Sequence, residues 1–152
     1  MGVNRNIDAL QPRLAAVVKQ FLKRCEEEKY NVLIIETDRS QAVQDAYYAQ
    51  GRQNIEEVNR LREKAGLYLL KERENTIVTN ARVSNHTGGN AVDICPEIVG
   101  KPGYPWWNAP EKVWEEIGGI AEACGLDWCA GGFGQTWGKG WDNPHFELMK
   151  AV

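Results

Sequence analysis

The chain changes character at Glu74, and that change limits the folds open to it. Before Glu74, apolar residues mostly recur at helical spacing; after it, short β-prone runs alternate with glycine, proline and tryptophan. In residues 7–30, Leu10, Leu14, Val17, Val18, Phe21 and Leu22 mark one helix face, with Asp8 placed to serve its N-terminal end. Residues 32–37 form a β-branched run that reads as a buried strand. Ser40 is placed as the N-cap of a helix that ends near Gly51. Residues 55–70, rich in Glu, Arg and Leu, read as another helix with Gly66 as its break and one solvated face.

Beyond Glu74, residues 76–79 and 91–94 read as strands, and 84–89 as a small, polar, turn-prone stretch between them. Residues 101–110 carry three prolines and the adjacent Trp106 and Trp107, so they are expected to form a loop ordered by the indoles. Residues 110–124 read as a helix, with Pro110 near its first turn and Gly125 as its stop; 145–148 read as a final strand. No repeat, low-complexity stretch or linker divides residues 1–152, so the expectation is one α+β domain.

A chain of 152 residues is long enough to bury a core without staples. Its net charge of -3 argues against a nucleic-acid binder, which needs a basic face. No apolar run approaches the length of a membrane span, and residues 1–14 lack the apolar stretch of a secretory signal. The expectation is a monomer made in the cytoplasm, without stable membrane association, that leaves by another route if it acts outside. Cys25, Cys95, Cys124 and Cys129 form no C-x-x-C pair and read as reduced, partly buried thiols.

Only two histidines occur, each beside a carboxylate in a turn-rich setting. His86 leaves a turn that Gly88 and Gly89 let reverse sharply, and Asp93 lies in the strand that follows, on the face it shares with the small Ala91. His145 opens the last strand, sharing a face with Glu147, and Asp142 precedes it by three residues. Two imidazoles and a carboxylate suit zinc, and three protein ligands leave a fourth position for water. Asp142 could take that water's proton and later pass it to a leaving amine. On residue types alone, a His beside an Asp is more often a structural pair than a ligand. Asp142 serves equally well as a turn residue before Pro144, and the tryptophans read as core and cleft wall rather than a sugar platform.

Both clusters resemble the signatures of the zinc D-alanyl-D-alanine carboxypeptidase superfamily, which includes vancomycin-resistance peptidases and the L-alanyl-D-glutamate endopeptidases of phage endolysins. Ser84, His86, Gly89, Ala91 and Asp93 match its S-x-H-x-x-G-x-A-x-D motif, and residues 77–81 resemble the approach to it in the endopeptidase branch. Asp142, His145, Phe146 and Glu147 match the second motif. Arg39, Ser40, Gln44 and then Gln50, Gly51 and Arg52 resemble a third, R-S-x-x-x-Q…Q-G-R. Asp38 stands where an aromatic is common, and residues 53–74 intervene as a helical insertion.

The resemblance implies the small antiparallel sheet flanked by helices shared with the Hedgehog signalling domain. It implies zinc on His86, Asp93 and His145, Asp142 as the proton carrier, and Arg39 steadying the scissile carbonyl, unless Arg39 instead pairs with Asp38 or Glu36. Asp rather than Glu at position 142 favours cleavage of the peptidoglycan stem peptide between L-Ala and D-Glu by a phage endolysin. Such an enzyme waits in the host cytoplasm until a holin releases it to the cell wall. The rivals are a D,D-carboxypeptidase or dipeptidase acting on D-Ala termini, a non-catalytic zinc-binding interaction domain and, more distantly, a metal-dependent nuclease.

Overall fold

The computed structural model describes residues 3–128 and 143–149. Among the described residues, four α-helices and four strands follow one another as α1 (Pro12–Glu27), β1 (Val32–Glu36), α2 (Gln41–Ala49), α3 (Ile55–Lys64), β2 (Ala91–Pro96), α4 (Glu111–Ala123), β3 (Leu126–Trp128) and β4 (His145–Leu148). The strands make one antiparallel sheet in the order β1-β2-β4-β3, as the small flanked sheet of the expected fold requires.

Alternation along the two central strands sorts the sheet into two faces. Val92, Ile94 and Phe146 are fully buried and join Leu14, Val18 and Phe21 of α1 and Trp114 and Ile117 of α4 in the main core. The rings of Phe21 and Phe146 lie 6.0 Å apart between their centroids, which fixes α1 across β4. Each such side chain contributes about 1.5–3 kcal/mol on burial. The opposite face carries Asp93, His145 and Glu147, and there the chain does its polar work.

The apolar stripe of residues 7–30 is not one helix. Asn6 caps a single 3-10 turn, Ile7–Ala9, and α1 begins afresh with Pro12 at its first position, where the missing N–H costs nothing. Ser40 caps α2 by accepting from the Val43 N–H. Helix α3 stops at Lys64, short of the expected 70, because Gly66 takes a φ of +79° and Arg62 turns back to hold the Tyr68 carbonyl. Residues 53–74 therefore fold as α3 and a return segment over a second small core of Ala49, Val58 and Leu70.

Residues 76–79 form no strand. They run beside α2, where Arg52 donates to the Thr79 carbonyl (3.0 Å), and a Cβ on Gly51 would meet the Ile77 nitrogen at 2.4 Å. This close approach is why glycine stands between Gln50 and Arg52. The short strand β3 lay inside a Gly- and Trp-rich stretch and gave no alternation long enough to read. Residues 101–110 form the expected loop; Trp106 packs against the core, whereas Trp107 is half exposed. Cys25, Cys95 and Cys124 are free thiols, and Cys129 lies outside the described residues.

Candidate metal centre

Three side chains from separate parts of the chain converge on the polar face of the sheet. Donor atoms of His86, Asp93 and His145 all lie within 4.8 Å of one another. Asp93 Oδ1 is 3.1 Å from His86 Nε2 and 3.3 Å from His145 Nδ1. A tetrahedral ion with bonds of about 2.0 Å sets its ligand atoms about 3.3 Å apart. The donor set and these separations fit zinc.

His86 is buried, and its position comes from the turn before β2. Ser84 Oγ accepts from the His86 N–H, and the His86 carbonyl accepts from the N–H groups of Arg39 and Gly89. Gly89 has a φ of +77°, and a Cβ there would lie 2.7 Å from the Ala9 carbonyl oxygen. Glycine is needed for both reasons. Asp38, in place of the common aromatic, accepts from the Gly88 N–H at 3.0 Å and so ties the same turn to the end of β1.

Asp93 and His145 are paired residues of the β2–β4 ladder, and Glu36 joins the same row through an irregularity between Ile34 and Glu36. Such a bulge re-aims side chains beside a site. Burial alone would raise the Asp93 carboxyl, but hydrogen bonds from His145 and His86 outweigh it and hold Asp93 far below the usual carboxylate range.

Each imidazole has its outer nitrogen fixed by an oxygen that can only accept. His86 Nδ1 lies 3.4 Å from the Thr37 carbonyl, an acceptor suited to hold its N–H whenever Nε2 turns its lone pair to a metal. The His145 Nε2–H donates to Glu147 Oε2 (2.7 Å), leaving Nδ1 on the inner side. The His145 bond, aided by the Asn85 amide at 2.9 Å and opposed by burial, holds the Glu147 carboxyl below its ordinary value. Outer partners of this kind set the tautomer and orientation of metal-ligating histidines.

Arg39 lines the same cleft, but its guanidinium is already engaged. It pairs with Glu36 and donates to Gln44 Oε1 at 2.9 Å, lying 5.0 Å over the Tyr47 ring. Burial pulls its pKa down, yet the Glu36 carboxylate more than compensates and the net shift is upward. Gln44, wholly buried, also donates to the Ala81 carbonyl (2.6 Å), so the R-S-x-x-x-Q pattern ties α2 to the approach of the His86 turn. The pairing with Glu36 was one of the two readings of Arg39, and it coexists with a place at the cleft wall. Asp142 lies outside the described residues.

The cleft, of about 990 Å³, opens over His86, Asp93 and His145 and is also lined by Arg62 and Tyr68 of the 53–74 stretch. Sequence reasoning missed Thr37, Asn85 and Arg62, and named Glu36 only as a possible partner of Arg39, not as a neighbour of Asp93. Thr37 acts through a backbone carbonyl, which leaves no side-chain signature, and Glu36 depends on a bulge. Arg62 sits in a run of charges typical of a solvated helix, and only its burial singles it out.

The sequence model of the D-alanyl-D-alanine carboxypeptidase family matches residues 78–148, the stretch that carries His86, Asp93 and His145. That match covers just under half of the chain. Solved structures share its fold. The L-Ala D-Glu endopeptidase ChiX of Serratia marcescens is 19% identical, with a TM-score of 0.58 over 98% of this chain and 90% of ChiX. The vancomycin-resistance D,D-pentapeptidase VanY, solved as an E175A mutant with Zn(II), is 10% identical, with a TM-score of 0.54 over 93% of this chain and 73% of VanY. The LD-carboxypeptidase LdcB is 14% identical, with a TM-score of 0.57 over 92% of this chain and 59% of LdcB. The chain brings His86, Asp93 and His145 together in a metal-compatible geometry.

Proposed function

We propose that the chain is a zinc-dependent peptidoglycan peptidase that cuts the stem peptide between L-Ala and D-Glu. The observation that carries this reading is the convergence of His86, Asp93 and His145, with donor atoms within 4.8 Å of one another, in an open cleft. Held there, zinc would supply Lewis acidity and an acidified water.

The remaining work falls to the chain's own groups. Thr37 and Glu147 hold the outer imidazole N–H groups, so that both inner nitrogens keep their lone pairs for the metal. Arg39, fixed in the wall by Glu36 and Gln44, offers positive charge to the scissile carbonyl as negative charge develops on its oxygen. The Asp142 carboxylate accepts a proton from the attacking water and returns it to the leaving amine.

Two features favour the endopeptidase bond. The ChiX endopeptidase matches this chain over nearly the full length of both. Asp at position 142 is the residue common in the endopeptidases of the superfamily. A phage endolysin, monomeric and held in the host cytoplasm until holin-dependent release, is the biological role that suits such an enzyme. A second reading, removal of terminal D-Ala, is favoured by the family description and by a VanY structure solved with D-Alanine-D-Alanine.

Mass spectrometry of digested muropeptides separates the two. Release of the stem at L-Ala supports the endopeptidase, and loss of a single alanine supports trimming. Asp142→Asn is expected to keep its metal and lose cleavage; unchanged cleavage removes Asp142 from the mechanism. Digestion that persists after zinc is stripped by a chelator contradicts the metallopeptidase reading.

A further inference from the structure

We propose that Arg62, supplied by the insertion, recognises a carboxylate of the peptide bound in the cleft. This rests on the reading of the chain as a stem-peptide peptidase and adds to it the chemical group by which substrate is chosen.

Arg62 is 4% exposed, unusual for an arginine on a short surface helix. Its neighbour in sequence, Arg60, pairs with Glu57, and Arg39 across the cleft pairs with Glu36. Arg62 has no carboxylate partner among the described residues. Its Nε donates to the Tyr68 carbonyl (2.7 Å) and its Nη1 to Gln50 Oε1 (3.2 Å), two neutral acceptors, while its guanidinium lies 4.7 Å over the Tyr68 ring. Among the described residues Nη2 has no acceptor, and Arg62 lines the cleft together with His86, Asp93 and His145.

A buried cation without an anion is costly, and a fork with one free N–H arm fits an incoming carboxylate. The insertion thus delivers a fixed positive charge to the same cleft as the metal ligands. Tyr47 feels the charges of both Arg39 and Arg62 and therefore lies within electrostatic range of each, with Arg39 over its ring.

Stem peptides offer two such carboxylates: the α-carboxylate left free when D-Glu is linked through its side chain, and the C-terminus. The probes are the pentapeptide L-Ala-γ-D-Glu-L-Lys-D-Ala-D-Ala, its D-isoglutamine form and its C-terminal amide. Turnover by the unaltered chain and affinity of the Asp142→Asn chain, both with zinc supplied, are compared across the three. The parent should be favoured over one of the amides by about tenfold or more, mainly in KM, which identifies the carboxylate used. Arg62→Gln should erase that preference while leaving the disfavoured amide nearly unchanged, and Arg62→Lys should restore part of it. If Arg62 merely ties α3 to Gln50, its variants weaken all three peptides alike, and the proposal is overturned. Equal handling of the three by the unaltered chain overturns it without any variant, so a poorly folding Arg62→Gln does not shelter it. Failure to bind or cut any of them overturns the peptidase reading itself and the Arg62 assignment with it.

Discussion

Asp93 and His145 face each other as a register pair of the β2–β4 ladder, with Asp93 Oδ1 3.3 Å from His145 Nδ1. Two of the three proposed ligands are therefore set by sheet register, and His86 by a turn. Asp93→Ala should leave the fold intact, because the residue sits on the polar face away from the core. It should cost more than the about 10–100-fold in zinc affinity typical of losing an outer partner. Zinc content after dialysis, read by elemental analysis, checks this; retention of stoichiometric zinc by Asp93→Ala would remove Asp93 from the site.

Glu147 acts one step out. It accepts from His145 Nε2 and from the Asn85 amide, so Glu147→Ala removes the acceptor on the outer nitrogen of the imidazole. Zinc affinity should fall by about 10–100-fold, less than for loss of a direct ligand. Competition against a chromogenic chelator measures it, and an unchanged constant would mean that His145 is oriented by something else.

Arg39 and Glu36 form an ion pair with little exposure on either side, so Arg39→Ala strands a carboxylate and confounds catalysis with folding. Breaking such a pair costs about 3–5 kcal/mol. Arg39→Lys keeps the charge but not the fork that holds Glu36 and Gln44 together. Its kcat should fall by about 10²–10³-fold with KM and zinc content little changed, as expected for a group that acts on the developing oxyanion. A variant with full kcat would leave Arg39 a structural role only.

Much of this site was legible before any coordinates, and the reason is local. Ser84, Gly89 and Asp93 are each dictated by one short turn-and-strand unit, and spacing along a strand fixes which side chains share a face. What was not legible depends on contacts between distant segments. Residues 76–79 have β-prone composition but are held by Arg52 and Gly51 rather than by a neighbouring strand. The break before Pro12 was hidden by an apolar stripe that continues across it. Glu36 enters the ligand row only through a bulge, and Arg62 looks like any helix-surface charge until its burial is known.

Gly89 should tolerate no side chain. Its φ of +77° and the 2.7 Å approach to the Ala9 carbonyl combine strain with a backbone clash. Gly89→Ala should cost about 2 kcal/mol or more, a fall in melting temperature of about 4–8 °C. Gly100, with φ +79° and open space around it, is the control, and Gly100→Ala should cost about 1 kcal/mol. Equal melting temperatures for the two variants would show that the His86 turn does not rest on the segment leading into α1.

The buried thiols should be inert. Burial, helped by the nearby Cys124, pushes Cys25 up to about 12, and burial pushes Cys95 up to about 11. At pH 8 the thiolate fraction of Cys25 is then about one in ten thousand. Alkylation of the folded chain followed by peptide mass spectrometry should find both unlabelled until denaturant is added; rapid native labelling of Cys25 would contradict its place in the core.

The most direct test is crystallography of the zinc-soaked protein with anomalous data collected at the zinc edge. The account predicts one strong peak bonded to His86 Nε2, Asp93 Oδ1 and His145 Nδ1. A peak bound elsewhere, or none at these three atoms, would contradict it.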